Sequence, residues 1–335
     1  MACCPWCRPL TAPPAVDVSI VICTRNRATA LAGTIDSLRS LQSRFNWEAI
    51  IVDNASTDET EAVLRGYAER DDRIAWTHCA RIGLGAARDH GWRRTKGRIV
   101  AFTDDDCLVA PDFVDALVAA FADHPTAGCI GGRIEQFNAQ HIRVTIDERT
   151  DLETIVPRSF VPTGALHGAN LAFRRAALEA VGGIDPLLGA GTPFPCEDVD
   201  AVARIVWAGF DAVFDPRPRV QHDHRRTEAH RTELMRSYDR GRGAYLAKFA
   251  FGPDSGATYR QTWLAAARRS AYPAAIDHKF REIVSGFAYL RRAGSEHLPG
   301  FLWLAVRLMS LTVSSVVMQS VLRRFPLRHL TTTTE

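Results

Sequence analysis

The sequence predicts an α/β fold, a GT-A-like, Rossmann-type and mostly parallel sheet flanked by helices, with a helical carboxyl-terminal extension. Three observations carry that expectation. From residue 16 onward, short β-branched runs alternate with segments of helical spacing, the pattern of a parallel sheet covered on both faces. Polar clusters directly follow three of those runs, at the strand ends where such sheets bind ligands. Beyond residue 225 the strand signals stop and the chain turns basic and helical.

The first strand is VDVSIVICT, residues 16–24, bounded by proline before and by polar TRNR after. Leu31, Ile35, Leu38 and Leu41 then recur at helical spacing. WEAIIVD supplies a second strand ending at Asp53, and DETEAVLRGYAER resumes the helical period. A third strand is expected from Ile74 to Thr77, a helix over GAARDHGWRRT, and a fourth strand over RIVAFTD, residues 98–104. Beyond residue 130 the pattern loosens to a strand at 169–173, a helix, a Gly/Pro-rich loop, a helix beginning near Glu197 and a strand at 212–215. The chain therefore divides into a flexible leader (1–15), a catalytic α/β unit (16–225) and a helical extension (226–335).

With 335 residues the chain can bury a full core and carry an appendage. A formal net charge of +3 is too small to make nucleic acid a partner. MACCPWCRPLTAPPAVD lacks the apolar core of a signal peptide, so a cytoplasmic location is expected, with the 8 cysteines reduced. Cys23, Cys79, Cys107 and Cys129 lie in or beside apolar segments, where a thiol packs as a small hydrophobe. Cys3, Cys4 and Cys7 lack a matching ligand pair and are assigned to the leader.

Asp104, Asp105 and Asp106 stand side by side at a strand end. Such mutual repulsion is tolerated if a cation sits there or water bathes all three. One reading is a loop or helix cap before PDFVDALVAAF; the other is an Asp-x-Asp clamp, Asp104 and Asp106, holding Mg2+ or Mn2+ through oxygen and so neutralising a diphosphate. Asp53 either makes a turn or accepts from a base N–H or ribose hydroxyl. In RIGLGAARDHG, Arg88 occupies the place of the third glycine of a dinucleotide fingerprint, which argues against a nicotinamide fold. Arg88 or Arg81 faces phosphate, or else is a solvated helix residue. Glu197, Asp198 and Asp200 suit a helix start by themselves.

VSIVICTRNR, EAIIVDNASTDET, GLGAARDHGWRRTKGRIVAFTDDDC, GANLAFRRAALEAVGGIDPLLGAG and CEDVDAVARIVWAGFDAVFDPRPRVQHDH together resemble, in order and spacing, the family 2 glycosyltransferases of GT-A fold. The resemblance covers residues 16–225 and implies a metal-dependent inverting transferase using a nucleotide sugar, usually a uridine nucleotide. It places Thr24, Arg27, Asp53 and Asp58 in the nucleotide-binding segments, and Asp104 and Asp106 in the metal motif with Asp105 in the same donor-binding cluster. His222 becomes a candidate metal ligand, Asp198 the general base and Glu197 its neighbour. Many members carry Asn where this chain has Arg81. Inversion needs one base to take the acceptor proton, and a cation stabilises the leaving diphosphate.

Phe194, Trp207 and the LGAGTPFP loop are expected to shape the pocket of a hydroxyl acceptor, whether glycan, lipid-linked or a small aglycone. Gly300 to Leu322 is long enough to span a bilayer but is interrupted by Arg307, and Arg323, Arg324 and Arg328 follow. Three readings stay open: a helix packed on the domain, a peripheral contact through 300–328 at the inner face of a membrane, or a true span. Two other functions compete. A non-catalytic nucleotide-sugar binder would lose the base, and a sugar nucleotidyltransferase would show a glycine-rich loop where CTRNRATA has no glycine.

Overall fold

The computed structural model describes residues 16–324, with side chains placed through residue 320. The leader with Cys3, Cys4 and Cys7, Arg328, and the side chains of Arg323 and Arg324 lie outside the described residues. The chain runs β1 (Val18–Thr24), α1 (Ala32–Arg39), β2 (Trp47–Asp53), α2 (Thr60–Ala68), β3 (Ile74–His78), α3 (Leu84–Trp92) and β4 (Ile99–Asp104). It continues through β5 (Cys107–Val109), α4 (Phe113–Asp123), β6 (Ala127–Gln136), β7 (Glu153–Ile155), β8 (Asn170–Arg174), α5 (Arg175–Ala180), α6 (Glu197–Trp207) and β9 (Asp211–His222). Four helices follow: α7 (Arg231–Ala250), α8 (Gly256–Arg268), α9 (Ala274–Arg292) and α10 (Leu298–Arg324).

The strands form one sheet in the order β3-β2-β1-β4-β8-β6-β9-β5, with β7 also on β9. β1 pairs in parallel with β2 and β4, in a register that sets Thr24 beside Asp53 and Cys23 beside Asp104. The polar loops after these strands therefore leave the sheet at one level. β8 is antiparallel to both neighbours, so the sheet is mixed but mostly parallel around the site. Alternation along β1 feeds two cores: Val18, Ile20 and Ile22 pack with Ile35, Leu38 and Phe113 on one face, while Val21 packs with Phe102 and Phe173 on the other. Tyr245, Tyr259, Trp263 and Phe301 of the carboxyl-terminal helices belong to that second core.

Three strands, β5, β6 and β7, were not legible in the sequence. β6 reads AGCIGGRIEQ, whose glycines suggest a loop, yet a Cβ at Gly132 would meet Asn170 Nδ2 and the Pro218 carbonyl at 2.4 Å. Close approach, not flexibility, is what this glycine provides. β9 runs on to His222 instead of stopping at 215, and its Pro216 and Pro218 fall where the β6–β9 register shifts between Gly131 and Arg133, a place that needs no ladder donor. Helix α7 consequently starts at Arg231, and residues 223–230 form a loop with one 3-10 turn.

Candidate active site

The loops after β1, β2 and β4 are tied to one another before any ligand is considered. Asn26 takes a left-handed conformation (φ 54°), which asparagine adopts more easily than most residues; its N–H donates to Ser56 Oγ (2.9 Å), and its carbonyl Oδ1 accepts from Thr57 N–H (2.7 Å). Thr24 Oγ1 donates to Asp105 Oδ2 (2.7 Å), and the Arg27 guanidinium lies 3.7 Å from Asp105 and 3.8 Å from Asp106. Asn54 holds the β3–α3 loop, donating to the carbonyls of Cys79 (3.1 Å) and Arg81 (2.7 Å) and accepting from Gly83 N–H. Arg81 thus contributes its backbone here, and its side chain is exposed.

A cavity of about 680 Å³ opens above these ends, lined among others by Thr24, Arg27, Asp104, Asp105, Asp106, Glu197, Asp198 and His222. Asp53 and Asp58 sit beside it, not in its wall. Asp53 is buried and accepts from Ser56 N–H (3.1 Å), with His78 Nδ1 3.0 Å from its other oxygen. Asp58 accepts from the hydroxyl and N–H of Thr60 at the start of α2 and from Ala28 N–H, and the Thr60 hydroxyl bond lowers its carboxyl.

Arg88 corrects the expectation that it faces phosphate. Gly91 lets α3 lie close on β1 and β2, since a Cβ there would meet Val21 at 2.6 Å and Val52 at 2.8 Å, and this seats Arg88 under the end of β4. The side chain is buried, donating to Asp104 Oδ1 (2.8 Å), Glu197 Oε1 (3.1 Å) and the Gly168 carbonyl (2.9 Å). A guanidinium spent on three internal acceptors has no fork left for a diphosphate. Gly168 in turn donates its N–H to Asp198 Oδ2 (3.0 Å), and Val199 N–H donates to Asp198 Oδ1 (2.8 Å). One buried cation therefore joins two acidic motifs far apart in the chain, that of Asp104 and that of Glu197, the latter 109 residues from Arg88 itself.

Burial raises Glu197 to about 7, against the pull of Arg88 and with the adjacent Asp198 adding to the rise. Burial likewise raises Asp105 to about 6 despite Thr24 and Arg27. For Asp106, burial works in the same sense, but the His222 hydrogen bond and charge outweigh it and hold the carboxyl below its ordinary value. His222 is raised in return: burial opposes the charged ring, and Asp106 with Asp104 overcomes it.

The residues fit a hard divalent cation. His222 Nε2 lies 3.1 Å from Asp106 Oδ1, while its Nδ1 is 3.2 Å from the Thr145 hydroxyl, an outer contact that turns Nε2 toward the carboxylates. Asp104, Asp106 and His222 share the cavity wall, and one oxygen of Asp104 is held by Arg88. Two carboxylates and one imidazole suit Mg2+ or, with its tolerance of nitrogen, Mn2+. Cys107 also lies within 4.8 Å of Asp106 and His222, but burial pushes its thiol well above the ordinary value and leaves it protonated.

Phe194 and Trp207 do not shape the cavity. Phe194 is buried with its ring edge-on to Tyr289 at 5.6 Å, and Trp207 packs on Tyr259 at 6.2 Å, so both anchor the carboxyl-terminal helices. The cavity wall is built instead by Gly191 and Thr192 of the same loop, His167, and Leu234, Tyr238 and Arg242 of α7. Sequence reasoning missed the α7 residues because they read as a plain basic helix; the aromatic and the arginine one turn apart were the available signal.

Three comparisons with known proteins bear on this site. The model of the family described as "Glycosyl transferase family 2" matches residues 19–182. A Mycobacterium tuberculosis protein named pre-mycofactocin glycosyltransferase is 29% identical over 231 residues, covering 65% of this chain and 45% of that protein, so the chain spans about half the length of this relative. A mannosyltransferase from Pyrobaculum calidifontis, solved with GDP-Man and Mn2+, superposes with a TM-score of 0.56 at 20% identity, covering 96% of this chain and 92% of that one. S. aureus TarS (residues 1–349), solved with UDP-GlcNAc, superposes with a TM-score of 0.61 at 13% identity and 92% coverage of each chain, a likeness of fold.

Proposed function

The chain belongs to glycosyl transferase family 2, and from that premise we propose that it is an inverting, metal-dependent transferase moving a sugar from a nucleotide sugar to an acceptor hydroxyl. The observation that supports this most is the Arg88 bridge, which sets Asp104 and Glu197 on one wall of one cavity with Asp198 beside them.

In this reading Asp104, Asp106 and His222 hold the cation, and Arg27 at the rim offers charge to the diphosphate. The bound cation supplies Lewis-acid stabilisation to the departing nucleoside diphosphate. Asp198 has both oxygens fixed by backbone N–H groups and takes the proton of the acceptor hydroxyl as it attacks the anomeric carbon. Glu197, held mostly protonated below pH 7 by burial, is the neighbour of the base and not a second base. Asp53 and the loop around Asp58 form the nucleoside side, with uridine as the proposed base.

Calorimetric titration of UDP, GDP and their sugars with Mn2+, Mg2+ or chelator tests the proposal on the wild type and Asp106→Ala. Metal-dependent binding of one nucleotide, lost in the variant, is expected. Equal binding with chelator and in Asp106→Ala would overturn the metal-held donor.

A further inference from the structure

Helix α10 carries large apolar side chains on its open face as well as on its buried one, the open face also holding Arg307, Ser310, Ser314 and Gln319. Phe301, Leu304, Leu308, Thr312 and Val316 are buried, with Phe301 packed against Trp263 and Phe251. On the opposite side Leu302, Val306, Val313 and Val317 form one open stripe at helical spacing, and Val306 is 70% exposed. Trp303 and Met318, on the adjoining stripe, are open too. Among the described residues, 13 large apolar side chains are exposed, and these six all lie on this one helix. Such a concentration marks a surface made to be covered.

Charge decides what covers it. The 27 residues of α10 include no Asp or Glu. Arg307 lies on the open face, its guanidinium stacked on Trp303 at 4.6 Å, the pairing of a cation with an amphipathic ring that suits the boundary between headgroups and acyl chains. Exposed Arg268 and Arg269 end α8 alongside, where Ser315 Oγ donates to the Arg268 carbonyl (2.6 Å). A second copy docking through this face would bring arginines against arginines with no carboxylate on the helix to pair them. An anionic bilayer offers both the apolar boundary and the opposite charge.

We propose that α10 lies in the surface plane of an anionic membrane, with its outward face in the headgroup and acyl boundary and its inward face kept on α8 and α9. Length and composition alone would also allow a span, but the buried half of the helix belongs to the protein core. The docking stands apart from the donor chemistry, because no α10 residue lines the cavity.

Co-sedimentation of the full chain with vesicles of phosphatidylcholine alone, or mixed with phosphatidylglycerol, tests it. Binding to the anionic vesicles only, weakened by salt, is expected. Arg307→Gln should weaken it about fivefold, the loss of one cation near the surface, and Val306→Asp should weaken it more, with nucleotide binding unchanged as proof of folding. Equal binding to both vesicle types, recovery wholly in the supernatant, or a dimer in sedimentation velocity that Val306→Asp dissociates would each overturn it. The salt dependence of the wild type decides the matter should either variant fail to fold.

Discussion

The two acidic motifs share a cavity but are compensated in opposite ways. Asp105 and Asp106 sit on a loop past a strand end, balanced by partners that reach the cavity themselves: Thr24, the half-exposed Arg27 and His222. Glu197 and Asp198 open a helix and are balanced from beneath, by the buried Arg88 and by backbone N–H groups. The difference teaches that the first motif is arranged to exchange partners, since the groups that compensate it line the cavity themselves. The second is arranged to stay still, because its partner is a desolvated ion held at three points.

Removing the shared cation should have the largest effect. Arg88→Met leaves Glu197 and Asp104 without their partner, and a loss of about 3–5 kcal/mol in denaturant unfolding is expected. Arg88→Lys, one donor point in place of a fork, should restore part of it; a variant as stable as the wild type would break the contrast. Asp198→Asn should lower kcat by about 10²–10⁴ with metal-dependent donor binding intact, measured by initial rates and calorimetry. Loss of donor binding instead would move Asp198 to the donor side.

A pH experiment sharpens the same contrast. Glu197 keeps its proton to about pH 7 in the folded chain but only to about 4.5 unfolded, so the native state binds the extra proton in that window. Stability from this group therefore falls as pH rises from 5 to 8, by roughly 3 kcal/mol. Unfolding of the wild type minus that of Glu197→Gln across this range should show the slope, and a flat difference would refute it. The smallest effect belongs to the open motif: Thr24→Val removes one hydrogen bond to Asp105 and should cost about 1 kcal/mol. A much greater loss would mean the donor loop is as rigidly held as the helix start.

Local pattern made much of this molecule legible. β1, β2 and β4 announce themselves by apolar, β-branched runs that end in polar residues, Thr24, Asp53 and Asp104, and strand periodicity depends only on neighbours along the chain. Glu197 as the first residue of α6 was likewise readable, because acidic residues favour the positive end of a helix. β6 and the continuation of β9 beyond residue 215 were not, since their glycines and prolines make sense only against a partner strand brought from elsewhere. Phe194 and Trp207 misled for a related reason: an aromatic in a glycine-rich loop or at a helix end looks the same whether it faces a sugar or a helix.

The sequence by itself determined the alternating α/β order, the acidic clusters at the strand ends and the apolar length of the last helix, all properties of short windows. Only the tertiary structure decided that Arg88 belongs between Asp104 and Glu197, that α7 walls the cavity, and that α10 leaves one apolar face open. Each of those depends on which groups lose water together, and desolvation is a property of contacts between distant segments that no local window contains.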